Sequence, residues 1–227
     1  MNLSKRLEQI DQMIVTRYDH IWDCCCDHGL LGMHLLERNA GQTIHFVDSV
    51  KPLIDTLASQ LLAFDTKTKT SILSNRWQVH CLNAANIITQ HSDSNLVIIS
   101  GVGGELIIDL VKAILKTNAK QALEFILCPV HHNYKVRKSL IDLGLGLVNE
   151  KLVKENHRFY EVIHVATTST QTISAVGSMM WNFTRQDDLD YLNQTIAHYR
   201  RMQNSNNKIL LNTVHTILKA YECLGEC

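Results

Sequence analysis

Hydrophobic residues along this 227-residue chain recur at two spacings, and the switches between them mark out its elements. Leu3, Leu7, Ile10 and Ile14 fall at helical spacing and predict a first helix over Leu3 to Val15, with no capping box at its start. His20 to Cys25 reads as a strand, Leu30 to Arg38 as a helix, and Thr43 to Asp48 as a second strand. Pro52 suits the first turn of a helix that reaches about Phe64. Lys67 to Asn75 is polar and loop-like, and Trp77 to Leu82 predicts a third strand. Asn95 to Ser100 encloses a continuous apolar run, the pattern of a central parallel strand buried on both faces. A helix over Glu105 to Lys116, a strand over Glu124 to Cys128 halted by Pro129, and a helix over Tyr134 to Leu143 follow. Leu147 to Glu155 and Arg158 to Ala166 then predict a closing antiparallel pair. Strands alternating with helices in this order predict an α/β fold, a doubly wound, Rossmann-like sheet with right-handed crossovers.

Thr167 to Ser178 is rich in Thr and Ser and reads as a linker. Beyond it, Leu189, Leu192, Ile196 and Tyr199 share one face of a helix over Asp187 to Gln203. Leu211, Val214, Leu218 and Tyr221 do so over Lys208 to Leu224, with Asn204 to Asn207 as the turn between. The expected organisation is a domain over residues 1–168 and a C-terminal α-helical hairpin over 169–227. The hairpin is too small to fold alone, so it is expected to pack on the main domain.

Composition narrows the class. The 45% hydrophobic content is ordinary for a globular protein, and no apolar run approaches the roughly 20 residues that span a bilayer. Met1 to Arg6 has no apolar core of a signal peptide, so a cytoplasmic location is expected and the seven cysteines read as reduced thiols. Neighbouring side chains on a strand point to opposite faces, so Cys24 and Cys25 do not readily share an ion, and no metal is expected. The zero net charge argues against a broadly basic coat while leaving room for a local basic face.

The candidate chemistry lies in Ile21 to Gly32, where the first strand turns sharply into a helix through Cys24-Cys25-Cys26-Asp27-His28-Gly29. The second strand ends in Asp48. A carboxylate at that position can accept both hydroxyls of a ribose. Three cysteines occupy the turn where a dinucleotide fingerprint needs glycines, and no lysine follows to grip a phosphate. Asp23, a small-residue turn and Asp48 suit S-adenosylmethionine (SAM), a nucleoside with a cationic amino-acid end and no phosphate. The alternative is an ordinary βαβ unit with buried cysteines.

Several segments together resemble the bacterial tRNA methyltransferases that modify N1 of the adenine at position 22. Leu3 to Leu7 is similar to that family's opening helix, and Asp23 to Leu31 to its first motif. Ser100-Gly101-Val102-Gly103-Gly104 resembles its glycine loop. Phe125 to Pro129 resembles its fifth strand, and Glu155 to Val162 its closing hairpin. The chain departs from the family pattern at three positions: Cys25 replaces a glycine, Asn83 an acid expected at the cofactor's adenine amine, and Val130 an asparagine after the proline.

The resemblance implies SAM-dependent methylation of tRNA. The cofactor set then comprises Asp23, Cys25, Asp27, Gly29, Asp48, Ser49, Leu82, Asn83, Ser100 and Gly101. Asp27 and His28 are the catalytic candidates, Asp27 to stabilise the charge that develops on the base and His28 to orient it. Asp27 as a helix cap and His28 as a structural residue are the plainer alternatives. Gly103, Gly104, Pro129, His131, Asn133, Arg158 and Tyr160 are the candidates for RNA contact, with Arg200 and Arg201 near the hairpin tip for phosphates. Lys5, Arg6, Lys151, Lys154 and Lys208 are further cations that could face RNA. A methyltransferase for a small molecule or protein, and a binding module without turnover, remain as other functions of such a fold.

Overall fold

The computed structural model describes residues 3–68, 76–90, 93–203 and 208–225. Its elements are α1 (Lys5–Met13), β1 (Tyr18–Cys24), α2 (Leu30–Glu37), β2 (Gly41–Asp48), α3 (Lys51–Thr68), β3 (Trp77–Cys81), β4 (Asn95–Ser100), α4 (Gly104–Thr117), β5 (Leu123–Cys128), α5 (Asn133–Asp142), β6 (Gly146–Glu155), β7 (Arg158–Ala166), α6 (Gln186–Met202) and α7 (Lys208–Glu222). Seven strands form one sheet in the order β3-β2-β1-β4-β5-β7-β6. The first five run parallel, and β7 joins β5 antiparallel and continues into β6. The order reverses between β1 and β4, where an open α/β sheet leaves a crevice at its carboxyl ends.

The sheet divides the core into two layers. On one face Trp22, Val47, Val97, Ile99, Phe125 and Leu127 pack under α4 and α5. On the other Ile21, Ile44, Phe46, Leu96 and Ile98 pack under α1, α2 and α3. The first five residues of β4 are buried whichever way they point, which is why that strand reads as an apolar run rather than an alternation.

Some boundaries differ from those the periodicity predicts. Ser4 caps α1, its hydroxyl accepting from the Leu7 N–H at 3.5 Å, so the helix opens at Lys5 without a capping box. The helix expected to end near Phe64 continues to Thr68, taking in two residues read as loop. Residues 69–75 of that loop, and Asn204 to Asn207 of the tail turn, lie outside the described residues.

The Thr/Ser-rich segment read as a linker is a packed strap. Gln171 accepts the Leu147 N–H at 2.8 Å, and Ile173 and Val176 are buried. Glu150 of β6 accepts the N–H groups of Ser178 at 2.5 Å and Met179 at 2.6 Å. The tail helices then cover Val176 with Leu192, Ile217 and Tyr221. Among the described residues no helix is long and apolar enough to cross a membrane.

Candidate active site

The turn after β1 is built on left-handed backbone. Cys25, Asp27 and Gly29 have φ of 58°, 51° and 67°, so every second residue turns the chain back on itself. A glycine would adopt the first of these without strain, and Cys25 holds the same conformation at a cost of about 1 kcal/mol. Gly29 is required for a further reason: a Cβ there would stand 2.7 Å from Leu57 Cδ1. The turn is pinned from β2, since Cys26 N–H donates to Val47 O at 3.2 Å and Asp27 N–H to Asp48 Oδ2 at 3.2 Å. Asp48 Oδ1 accepts from Val50 N at 3.0 Å. Each Asp48 oxygen therefore has one N–H and keeps a second lone pair.

Two cavities meet at this turn. One is walled by Cys25, Asp48, Ser49, Leu82, Asn83 and Leu106. The other is walled by Arg6, Asp23, Cys26, Asp27, His28 and Ser100, again with Cys25. The structure thus brings together eight of the ten cofactor candidates at the cavity walls. Gly29 shapes the turn from behind, and Gly101 (φ 79°) carries the chain out of β4 with open space where a Cβ would stand.

Asp23 is buried and accepts the Gly32 N–H at 3.0 Å. Burial pushes its carboxyl up to about 7, Gly32 opposes the shift and the Asp48 charge adds to it. Burial, Asp48 and Asp23 likewise push the Cys25 thiol up to about 11, so it lines the site as a neutral thiol. Asn83 opens a short 3-10 turn and its Oδ1 accepts from Ala85 N at 2.9 Å, again with a lone pair to spare.

Asp27 and His28 project into solvent, their side chains 68% and 65% exposed and 3.6 Å apart. Asp27 does not cap α2, because the cap position is Gly29 and carries no side-chain bond. Asp27 borders the cavity with its carboxylate largely in solvent.

The glycine loop after β4 and the turn after β5 are laced together. Val130 N–H donates to Val102 O at 3.0 Å and Gly101 N–H to Cys128 O at 3.2 Å. A Cβ on Gly104 would stand 2.6 Å from His131 O, and one on Gly103 2.8 Å from His131 Cε1. The two glycines are what let His131 close over this loop. Asn133 is held from the tail: its Nδ2 donates to the Tyr191 hydroxyl at 3.0 Å. That hydroxyl donates to the Glu161 carboxylate at 2.6 Å.

Arg6 is the residue that sequence reasoning misplaced. Read as a phosphate contact, it instead lines the cavity beside Asp23, with its guanidinium 4.8 Å from the centre of the Tyr160 ring. Its Nε is buried with no hydrogen-bond partner. A half-buried cation with an unused donor can receive an anion. The only signal in the sequence is its place one turn ahead of Ile10, on the face α1 turns to the sheet.

The other cations sort differently. Lys154 bridges to Asp187 at 2.7 Å and Asp190 at 3.4 Å, clamping β6 to α6. Arg200 pairs with Glu222 at 2.6 Å across the tail helices. Arg158, Lys151 and Arg201 are exposed. Among the described residues no group of histidine, cysteine and acid side chains could hold a metal ion.

A family model described as a methyltransferase domain matches residues 3–163. No curated protein sequence matches the chain. Among solved structures it is similar to the M1A22 tRNA methyltransferase TrmK of B. subtilis, at 18% identity and a TM-score of 0.78 over 97% of both chains. It is similar to TrmK of M. capricolum in complex with S-adenosyl-homocysteine, at 17% identity and 0.78 over 98% of this chain and 97% of that one. Sp1610 of Streptococcus pneumoniae in complex with S-adenosyl-L-methionine gives 20% identity and 0.77 over 97% and 98%. At these identities the likeness is one of fold, and it runs through the tail.

Proposed function

The chain belongs to the methyltransferase-domain family, and from that premise we propose that it transfers the methyl group of SAM to N1 of the adenine at position 22 of tRNA. The observation that carries this reading is the joined pair of cavities at the strand ends, with Asp48 in one and Arg6 and Asp27 in the other. The whole-chain likeness of fold to the B. subtilis tRNA methyltransferase supports tRNA over a small molecule.

The residues present fit the cofactor. SAM, when bound, supplies a sulfonium methyl already activated for transfer. The free lone pairs of Asp48 would accept the two ribose hydroxyls, and that of Asn83 the adenine amine. Arg6 would receive the carboxylate of the amino-acid end, and Asp23 would lie on the side of its ammonium. Ser49, Leu82, Ser100 and the Cys25 thiol fill the walls around these contacts.

The remaining work is alignment and charge. Methylated adenine N1 is a cation, and Asp27 stabilises that charge as it develops. His28 orients Asp27, while the turn of Pro129, His131 and Asn133 against Gly103 and Gly104 bounds the base. Arg158 and Tyr160 extend the contact toward the closing hairpin, and Arg201, exposed at the end of α6, is left for phosphates, since Arg200 is paired with Glu222.

Incubating the chain with SAM and an unmodified tRNA transcript, then digesting to nucleosides, should give 1-methyladenosine by mass spectrometry. A transcript with guanine at position 22 should give none. Equal product from both transcripts, or none from either, would sink the reading. In the same assay Asp27→Asn should lower turnover with SAM affinity near the parent's, and full activity would eliminate Asp27. Arg6→Ala should weaken SAM binding about tenfold or more, as loss of a charge-assisted pair does. Methylthioadenosine, which lacks the amino-acid end, should bind that variant as it binds the parent. If calorimetry finds both ligands weakened alike, Arg6 is structural.

A further inference from the structure

A larger hollow lies beyond the cofactor cavities and is not used by them. It has a volume of about 480 Å³ and is bounded by the start of α5, the β6–β7 turn and α6. A second hollow of about 630 Å³ is bounded by α5, α6 and α7. His132, Tyr134 and Tyr199 stand in the walls of both, so the two form one cleft between the sheet domain and the tail. Each hollow is within the roughly 300–1,000 Å³ of ordinary ligand sites. The cleft reaches the cofactor side at Tyr160, which walls the hollow and carries the Arg6 guanidinium over its ring.

Its lining combines two chemistries. Phe159, Tyr134 and Tyr199 are half-buried rings; Lys154 lies 5.2 Å from the centre of Phe159 and Tyr199 stacks on Tyr221, and each ring keeps part of its surface exposed. Arg158 in the first hollow and Lys138 in the second are exposed cations. Among the described residues that line the cleft, Glu105 is the single acid, and Lys135 holds it at 2.7 Å. An apolar peptide has no use for the cations, and a duplex hides the base faces that the rings would cover. Rings interleaved with cations are the means by which single-stranded nucleic acid is held.

We infer that this cleft holds an unpaired stretch of the RNA substrate, with bases stacked on Phe159, Tyr134 and Tyr199 and phosphates on Arg158 and Lys138. The inference rests on the proposed tRNA activity and adds the form in which the RNA binds, a single strand opened around its target.

Fluorescence anisotropy on the full chain tests this with a labelled oligoadenylate of about eight nucleotides and an RNA duplex of equal length. The single strand should bind more tightly at equal salt. Tyr199→Ala should weaken it about tenfold, the usual scale for losing one stacking ring. Because Tyr199 also packs in the tail core, a second variant is needed that spares folding. Lys138→Glu combined with Arg158→Glu changes only exposed positions. It should weaken the single strand at least as much and lower the log–log salt slope by about one or more. SAM affinity should hold in every variant. Equal affinity for duplex and single strand, or parent-like affinity in the charge-reversed protein, overturns the cleft. If tRNA is still methylated in that case, the proposed activity stands without it. A parent that neither binds nor methylates tRNA overturns the activity itself.

Discussion

Arg137→Met should cost about 3–5 kcal/mol of folding stability, a large part of the roughly 5–15 kcal/mol that holds a domain together. Arg137, Glu150 and Glu161 are all fully buried. The guanidinium donates to Glu161 Oε2 and Glu150 Oε2, each at 2.6 Å. Removing it strands two carboxylates in the interior. Burial opposes the Glu150 charge, yet Arg137 and the strap N–H groups outweigh it and hold its carboxyl below the usual range. A depressed carboxyl stabilises the fold above its unfolded pKa and loses that contribution as pH falls through the folded one. The penalty of Arg137→Met should therefore be full at neutral pH and shrink in acid, where the stranded Glu150 can protonate. Adding Glu161→Gln should recover part of the loss by removing one of the charges. Urea denaturation at neutral and acid pH measures all three, and an unchanged midpoint in Arg137→Met at neutral pH would refute the account.

The same network has a consequence for the site. Glu161 spends its second oxygen on Tyr191, and Tyr191 holds Asn133 at the head of α5. Glu150 spends its second oxygen on the strap. One buried triad thus fixes both the turn proposed to bound the base and the segment that leads to the tail. An all-apolar replacement, often neutral for an isolated ion triad, would here release those partners as well.

Asp48→Ala should weaken SAM binding by about 1.5–3 kcal/mol, the scale of hydrogen bonds to a charged group. The loss has two sources. The variant removes the acceptor for the ribose, and it frees the Asp27 and Val50 N–H groups that shape the turn. Asp48→Asn separates them, because the amide oxygen can still take one N–H while the charge is gone. Calorimetry should therefore rank the proteins parent, Asp48→Asn, Asp48→Ala. Unchanged affinity in Asp48→Ala would remove Asp48 from the cofactor site.

Much of this protein is legible from local pattern alone. The apolar run of β4 specifies a central strand because a residue buried on both faces must be apolar wherever it points. Asp48 is legible as the acid that closes the second strand, though not as the acceptor of the Asp27 and Val50 N–H groups. These are properties of a residue and its nearest neighbours along the chain. Partnership across the fold is not. Arg137 lies 13 and 24 residues from the two acids that neutralise it. Arg6 and Tyr160 sit at opposite ends of the domain until α1 packs beside β6 and β7. Lys154 and Arg200 read as free cations and are paired, whereas Arg6 read as a surface charge and is half-buried with a donor unused. Periodicity reports which side of an element meets the core, because burial is set by hydrophobicity summed over a turn or a pleat. It carries no information about which distant charge arrives opposite, since that depends on strand order and helix docking, and only the tertiary structure decides those.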